Sequence, residues 1–367
     1  MAKISIRSTP VLMTLAVLAI GLMYLVESTK TYVKEEWYNE KIAASRLTKK
    51  ALLHLKNERY ENVDFVDNIN DPNETGLIGE QYTAITTGSG SLPIKASTMN
   101  PNFGGMVVQL LKDAELKRGD QVAVCMTGSF PGLNVAALSA MQTLGIKPLI
   151  ISSVTASSWG ANDPNFTWVD MEGELKRDGI FHFSSYAASI GGNLDIGRAL
   201  SLEGRDLAVE SIKRNQLHFI NKGSLEGNIK ERLSIFRTKK VKAFINIGGG
   251  VASNGSDNNG DAIKPGYHKT LKLKDFPDKK GVMFEMAKNN IPVIHLKNIE
   301  VLMNKYDLPL EPIPLPEIGH GKLYFALKYQ VWIVTISFVI LVSLLLTTIY
   351  IDKKQHALGN EIIKTNN

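Results

Sequence analysis

A long uncharged segment lies near each end of this 367-residue chain. Residues 329–351, YQVWIVTISFVILVSLLLTTIYI, contain no charged side chain, and tyrosine or tryptophan lies near both ends of the segment. Residues 9–26, TPVLMTLAVLAIGLMYLV, are also uncharged and follow Lys3 and Arg7. A helix of about 20 apolar residues crosses the hydrocarbon core of a bilayer, and aromatic rings prefer its interface. The sequence therefore predicts two transmembrane helices, at 9–26 and 329–351.

The flanks of these segments predict the topology. No small-residue cleavage site of the Ala-x-Ala kind follows residues 9–26, which favours an uncleaved anchor over a signal peptide. Lys and Arg are divided almost evenly between the two sides of each segment, so the orientation rests on the signal-anchor character and on the length of the intervening chain. We predict a two-pass protein of the cytoplasmic membrane with a short cytoplasmic N-terminus (1–8), an extracytoplasmic domain and a cytoplasmic tail (352–367).

The composition is that of a folded domain with few constraints on its partners. Hydrophobic residues make up 44% of the chain and charged residues 21%, which is enough to form a core. The net charge of +6 permits an acidic partner, but Lys and Arg are scattered, and no nucleic-acid-binding module is present. We therefore predict no nucleic-acid partner. The single cysteine, Cys125, cannot form an intrachain disulfide and lies in an apolar run, which predicts a core position.

A helical stalk is predicted between the first span and the domain, at residues 27–66. From Glu27 to Glu61 there is no glycine or proline. Apolar residues recur three, four or seven positions apart, at Val33, Trp37, Ala44, Leu47, Ala51 and Leu55. This stripe can pack either on the protein's own domain or on a partner helix. The turn-rich segment DNINDPNETG, residues 67–76, marks the predicted start of the domain, which extends to residue 325.

The domain alternates between apolar strands and helices. Strands are predicted at residues 121–126, 147–152, 241–247 and 291–296, and helices at 103–116, 133–144, 202–214 and 281–288. Strands that are apolar along their length and joined by helices belong to a parallel sheet covered on both faces. The predicted fold class is therefore α/β, with a Rossmann-like, open and mainly parallel sheet between the two transmembrane helices.

Two glycine-rich loops follow predicted strands, TGSFPG at residues 127–132 and NIGGGVASNG at 246–255. In open α/β sheets ligands bind beyond the carboxyl ends of the strands, and backbone N–H groups at a helix start can hold an anion. Neither loop matches a phosphate-binding loop, a dinucleotide fingerprint or a nucleophile elbow. A purely structural role for the turns remains the alternative. The candidate ligand-binding residues are Thr127, Gly128, Ser129, Gly248, Gly249, Gly250, Ser253 and Asn254.

Several long phrases of the domain resemble one known family. These phrases are NPNFGGMVVQLL, VAVCMTGSFPGLNVAALSA, IISSVTASSWGANDPNFTWVDME, INIGGGVASNG and IPVIHLKNI, and the resemblance runs from about Thr75 to Gly321. They resemble the poly-γ-glutamate system protein family, a membrane component found with the genes for poly-γ-glutamate synthesis. The resemblance implies a role in making, exporting or handling this capsule polymer of the bacterial cell envelope. Its expected partners are the polymer, the membrane, the ATP-dependent ligase and the ligase's small membrane subunit. The resemblance implies no known reaction and supplies no catalytic residue.

An enzymatic alternative has to be built from the residues themselves. Ser129 is a candidate nucleophile for a γ-glutamyl amide hydrolase or transferase, with His295 as its base. Asp170 or Glu172 could orient that base or act alone. Lys95 is another possible base or carboxylate partner, interpreted here as a solvated lysine. Because binding an anion needs fewer groups than catalysis, we favour a noncatalytic carboxylate cradle around Ser129. An anion-sensing membrane protein is the third alternative.

No metal or cofactor is predicted. The seven histidines show no H-x-x-x-H or H-E-x-x-H spacing, and a lone cysteine cannot form a thiolate cluster. The segment SDNNGD, residues 256–261, has oxygen ligands for a hard cation but lacks the spacing of a calcium loop, and it is interpreted as a polar loop.

Overall fold

The computed structural model describes residues 5, 8–61, 67–276 and 280–365. Most of the predicted N-terminal segment 1–8 and the end of the predicted stalk therefore lie outside the described residues. The chain divides into two compact units: a terminal unit, up to Glu35 and from Phe325 onward, and a central unit, Glu36–Tyr324.

The helices and strands follow one another along the chain. In order they are α1 (Thr9–Ser28), β1 (Thr31–Lys34), α2 (Tyr38–Glu61), α3 (Leu92–Ser97), α4 (Phe103–Asp113), β2 (Gln121–Thr127), α5 (Pro131–Leu144), β3 (Lys147–Ser153), α6 (Trp168–Arg177), β4 (Ala187–Ser189), α7 (Leu202–Arg214), β5 (His218–Phe219), α8 (Leu225–Arg237), β6 (Val241–Ile247), α9 (Val251–Asn254), α10 (Asp257–Ala262), β7 (Gly266–His268), α11 (Val282–Lys288), β8 (Val293–Leu296), α12 (Glu300–Tyr306), β9 (Phe325–Lys328) and α13 (Val331–Thr365).

The terminal unit contains two long apolar helices and a two-stranded ribbon. Helix α1 and the stretch Val331–Leu358 of α13 are long and apolar enough to cross a membrane. These two helices coincide with the two predicted spans, although α13 continues well into the predicted tail. Strands β1 and β9 pair antiparallel, with Thr31 opposite Lys328.

The prediction of one continuous helix from Glu27 to Glu61 is wrong. Helix α1 ends at Ser28, and strand β1 separates it from α2. The cause is the run Thr31–Lys34, whose β-branched and aromatic side chains favour a strand once β9 offers a partner. Helix α2 belongs to the central unit and contacts α4 and α5, so its apolar stripe packs on the protein's own domain. The segment 67–76 consequently does not separate two units.

A seven-stranded sheet forms the centre of the central unit. Its strand order is β5-β4-β3-β2-β6-β8-β7, and every neighbouring pair is parallel except β7 with β8. The prediction of an α/β fold with a mainly parallel sheet is confirmed. All four strands predicted from the apolar pattern are present as β2, β3, β6 and β8, and they are the central members of the sheet together with the short β4.

Helices cover both faces of this sheet. Residues of α8 and α11 share one core with Ala123, Cys125 and Phe244, and Cys125 is 6% exposed, which confirms its predicted core position. Because side chains alternate along a strand, Val122 and Val124 face the opposite layer. There α2, α4 and α5 contact one another, and α5 also contacts β3.

Helix α5 has clear start and stop signals. It begins at Pro131, whose fixed φ suits the first helical position and whose missing N–H removes one unpaired donor. It ends at Gly145, which adopts φ 68° in the left-handed region and donates its N–H to the Gln142 carbonyl. These two residues fix where the loop after β2 becomes helix.

Gly104 tests the packing of α4 on α2. A Cβ there lies 2.4 Å from Thr48 Oγ1 and 2.9 Å from the Ala44 carbonyl oxygen, both on α2. We expect Gly104→Ala to lower the free energy of unfolding by roughly 1–2 kcal/mol. Two contacts under 3.0 Å favour the upper part of the overpacking cost of about 1–3 kcal/mol, and the helix-propensity gain offsets at most about 1 kcal/mol. Denaturant unfolding of the detergent-solubilised full-length protein measures this change. Gly88→Ala, which meets nothing within 4 Å, is the matched control. Equal stability of the two variants contradicts the prediction.

Candidate functional site

The order of the strands creates a crevice between β2 and β6. From β2 the chain continues to β3, β4 and β5 on one side of the sheet, and it then returns to place β6 and β8 on the other side. This reversal is a topological switch point, where the loops leaving two neighbouring strands diverge and leave room for a ligand. Both predicted glycine-rich loops leave these strands, so the structure brings them together at one edge.

A cleft of about 760 Å³ opens at this edge. Its walls come from the loops after β2, β3 and β6, from residues 87–95, from residues 192–199 and from two segments near the rim, 257–261 and 297–300. Four of the eight predicted ligand-binding residues line the cleft: Thr127, Ser129, Gly249 and Gly250. The other four, Gly128, Gly248, Ser253 and Asn254, do not line it.

The loop after β2 presents the start of α5 to the cleft. Ser129 and Phe130 line it, and their backbone N–H groups donate to no acceptor within the described ranges. Phe130 provides no side-chain cap for α5, so the unpaired N–H groups of the first helical turn remain available. The start of a helix also carries partial positive charge. This wall therefore offers hydrogen-bond donors to an anion.

The loop after β6 packs tightly on the loop after β2. Gly248 has φ 91°, and a Cβ at this position lies 2.2 Å from Thr127 Oγ1. Only glycine fits both the backbone angle and this contact. Gly249 differs, because a Cβ there lies at an ordinary distance from Lys297, 3.6 Å from Cε. The close approach between the two loops is thus made at Gly248 and not at Gly249.

Two buried hydroxyl groups in the cleft have no partner. Thr127 is 7% exposed and Thr155 is 3% exposed, and both residues line the cleft. The Oγ1 atom of each forms no hydrogen bond to any described residue. A buried hydroxyl without a partner costs about 1–3 kcal/mol. An acceptor on a bound ligand removes this penalty.

Lys95 forms part of the inner wall, and the interpretation of this residue as a solvated lysine is wrong. It is 1% exposed, because the short helix α3 carries it beneath the loops after β2 and β3. Its Nζ lies 2.8 Å from Ser157 Oγ, donates to the backbone oxygen of Ser129 and lies 4.3 Å from the centre of the Phe130 ring. Burial lowers the pKa of Lys95 to about 7.

The hydroxyl group of Ser129 joins two walls of the cleft. Its Oγ accepts a hydrogen bond from the backbone N–H of Ser157 at 3.0 Å. This bond connects the loop after β2 with the loop after β3. Ser129 therefore has a structural contact in addition to its exposure to the cleft.

The rim of the cleft is acidic. Asp257, Asp261 and Glu300 line it together with Lys297. Lys297 Nζ lies 2.8 Å from Asp261 Oδ1, and this lysine lowers the pKa of the Asp261 carboxyl. Asp257 and Glu300 form no ion pair with any described residue. The cleft thus has hydrogen-bond donors inside and uncompensated carboxylates at its mouth.

The structure does not bring His295 to Ser129. Strand β6 lies between their strands, β8 and β2, and His295 is fully buried. Asn246 Nδ2 donates to its Nδ1 at 3.1 Å, and its Nε2 donates to the Gly260 carbonyl at 3.0 Å. Burial lowers the pKa of His295 to about 4, so the ring is neutral near pH 7. With both ring nitrogens engaged, His295 cannot act as a base for Ser129.

Asp170 and Glu172 have structural contacts away from the cleft. Asp170 accepts from the Thr167 N–H at 2.8 Å in a capping box at the start of α6, and it forms an ion pair with Arg214 of α7. Glu172 is buried and accepts from the Ser185 N–H at 2.9 Å, and burial raises its pKa to about 7. Neither carboxyl lines the cleft.

The remaining predicted residues support the loop after β6. Ser253 and Asn254 are buried on α9, and Asn254 Nδ2 donates to the Gly248 carbonyl at 3.5 Å. The segment 256–261, interpreted as a polar loop, forms most of helix α10, because Ser256 caps it by accepting from the Asn259 N–H.

Sequence reasoning missed Lys95 and Ser157 as a pair. The signal available was the hydroxyl-rich stretch SSVTASS, residues 152–158, which begins in the last two residues of β3 and continues into the following loop. Because β3 neighbours β2, the strand-end rule that selected Ser129 also selects this stretch. The position of α3 relative to the sheet has no comparable signal.

The fold and the cleft define an α/β domain with a crevice at its switch point. Comparison of the chain with protein-family models, with curated proteins and with solved structures finds no match.

The buried Lys95 makes stability depend on pH. The unfolded chain retains the lysine proton up to its ordinary pKa near 10.4, whereas the folded chain releases it near 7, so raising the pH through this window favours folding. We expect the free energy of unfolding to rise with pH relative to Lys95→Met, by at most about 1.4 kcal/mol per pH unit. Denaturant unfolding between pH 7 and pH 10 measures both slopes. If the free energies of unfolding of the wild type and Lys95→Met change with pH at the same slope, the prediction that Lys95 releases its proton on folding is contradicted.

Proposed function

We propose that the central unit binds the γ-glutamyl polymer in the crevice at the switch point, where Rossmann-like folds bind their ligands, and that it guides the polymer at the outer surface of the membrane. The single observation that carries this proposal is the unpartnered Thr127 hydroxyl, buried beside the start of α5. It supplies a donor in a cleft where the neighbouring wall also supplies donors.

The inner cleft is complementary to a carboxylate. Its unpaired groups are the backbone N–H groups of Ser129 and Phe130 and the hydroxyl groups of Thr127 and Thr155. All four can donate, and a carboxylate has two oxygens that accept several hydrogen bonds. The partial charge of the α5 start adds attraction, and so does the nearby Lys95 in those molecules in which it is protonated. A carboxylate satisfies these groups better than a neutral amide does.

The acidic rim favours one end of the polymer over its middle. A continuous stretch of γ-linked glutamate presents only carboxylates, which Asp257 and Glu300 repel. The amino end differs, because its last residue carries an ammonium and a carboxylate on the same carbon. We infer that the carboxylate of this end binds near Thr127 and that the ammonium faces the rim.

The resemblance of the sequence supplies the pathway. The phrase VAVCMTGSFPGLNVAALSA spans most of β2, the following loop and most of α5, and INIGGGVASNG spans the end of β6, its loop and α9. The phrases that resemble the poly-γ-glutamate system protein family thus include two walls of the cleft. Together with the two apolar helices, this supports a two-pass membrane component that acts beside the polymer ligase and its small membrane subunit.

Thr127→Val tests the carboxylate site. Valine has nearly the same shape, and the hydroxyl that it removes has no partner within the described residues, so we expect stability to stay equal or to increase. Affinity for a glutamate γ-oligomer should fall by about 1.5–3 kcal/mol, or roughly 10- to 100-fold in Kd. Titration calorimetry on the full-length protein measures this loss, and Thr127→Ser, which keeps the hydroxyl, is the control. Unchanged affinity in Thr127→Val contradicts the proposal.

The topology is testable because the only native cysteine is buried. Cys125 is 6% exposed, so cysteines introduced at exposed sites stand out against it. The side chains of Lys230, in the central unit, and His356, beyond the predicted second span, are 73% and 71% exposed. In intact spheroplasts we expect a membrane-impermeant maleimide to label Lys230→Cys and not His356→Cys, with both labelled after lysis. The reverse pattern places the domain inside the cell.

A further inference from the structure

A lysine and a serine form a hydrogen-bonded pair on the inner wall of the cleft. Lys95 Nζ lies 2.8 Å from Ser157 Oγ, and both residues line the cleft. Lys95 reaches the cleft from α3, and Ser157 follows β3 in the hydroxyl-rich stretch. The pair therefore consists of a hydroxyl group on the wall of the cleft and an amine in hydrogen-bond contact with that hydroxyl group.

The surroundings of Lys95 favour its neutral form. No carboxylate in the described part of the chain forms an ion pair with it, and its other neighbours are the backbone oxygen of Ser129 and the ring of Phe130. Burial lowers its pKa to about 7, so a large share of the molecules carries a free amine at neutral pH. A neutral amine has a lone pair, which can accept the Ser157 O–H while one N–H donates to Ser129.

We propose that Ser157 is a nucleophile and Lys95 its general base, so that the cleft transfers acyl groups from amide or ester carbonyls. This proposal rests on the proposed function for the identity of the acyl group, a γ-glutamyl unit, and it goes beyond binding. It also replaces Ser129 by a serine whose base is already in contact.

The reaction balances with these groups and water alone. Lys95 takes the proton of Ser157 Oγ as that oxygen bonds to the carbonyl carbon, and the resulting ammonium then protonates the leaving nitrogen or oxygen as the carbon–heteroatom bond breaks. An acyl-serine remains. A water molecule, or an amine acceptor, gives its proton to Lys95 and attacks the ester, and Lys95 returns that proton to Ser157. Hydrolysis or transfer results, with no net change in the protein.

The neighbouring loop supplies groups for the oxyanion and for positioning. In this scheme the Thr127 and Thr155 hydroxyl groups hold the carboxylate. The backbone N–H groups of Ser129 and Phe130, which have no acceptor among the described residues, are then left to stabilise negative charge on the carbonyl oxygen. The Ser129 hydroxyl accepts from the Ser157 N–H, which holds the nucleophile's backbone in place. Ser129 is therefore a positioning residue in this scheme.

A fluorophosphonate probe tests the pair directly, because it labels activated serines without requiring the polymer. The full-length protein in detergent micelles is incubated with the probe, and the modified peptide is identified by mass spectrometry. We expect labelling at Ser157, absent in Ser157→Ala and reduced at least 100-fold in rate in Lys95→Met. Ser158→Ala is the matched control, because Ser158 is adjacent in sequence, does not line the cleft, and donates its hydroxyl to the Gly88 carbonyl. It should label like the wild type.

The pH dependence gives a second readout that needs no variant. The labelling rate of the wild type should rise through about pH 7 and then level off as Lys95 loses its proton. No labelling of the folded protein, labelling at Ser129, or a rate that does not depend on pH in this range overturns the proposal. If Thr127→Val loses affinity for the oligomer while Ser157 is still labelled, the carboxylate-binding groups and the nucleophile act independently. If the wild type binds the oligomer but Ser157 does not react with the probe, the catalytic proposal is contradicted and the binding proposal is not.

Discussion

The parallel pairing of β2 with strands on both of its sides determines the architecture of the central unit. β3 pairs along one edge and β6 along the other, with Cys125 in register with both Ile151 and Asn246. Since parallel strands direct all their carboxyl ends to one edge, three loops emerge there side by side. After β2 the chain continues on the side of the sheet where β3 lies, and after β6 it continues on the side where β8 and β7 lie. The loops that leave β2 and β6 therefore diverge and do not fill the space between them. The cleft is the result of this connectivity.

The chemistry of the cleft arises from donors that the fold leaves unpaired. Among the described residues, the buried hydroxyl groups of Thr127 and Thr155 have no partner, and the start of α5 has no side-chain cap. Lys95 is buried with neutral hydrogen-bond partners, Ser129 and Ser157, and pairs with no carboxylate of the described residues. Binding and nucleophile activation therefore have a common physical origin. A carboxylate satisfies the donors, and the Lys95 amine, which has no carboxylate partner among the described residues, can accept the Ser157 proton.

Apolar patterning predicted the four principal strands and placed two glycine-rich loops at strand ends, because these features depend on local sequence. Apolar patterning does not predict contacts between segments that are distant in sequence. The partner of β1 lies nearly 300 residues away in β9, so the local pattern alone predicts a helix at Thr31–Lys34. The burial of His295 follows from strand order, which spacing does not reveal, and Lys95 is buried by the placement of a six-residue helix against two loops. Such positions depend on the assembled fold.

The contact between Gly248 and Thr127 has a consequence for the thermodynamics of binding. Two loops that abut at van der Waals distance have little freedom to move independently, and the short α9 and the long α5 continue directly from them. A ligand that enters such a preorganised cleft pays little conformational entropy to order its walls. Its affinity is then governed by desolvation of the donors and of the ligand itself. A β-carbon at position 248 forces the loop after β6 away from Thr127. The cleft must then close around its ligand on binding, and this closure costs conformational entropy.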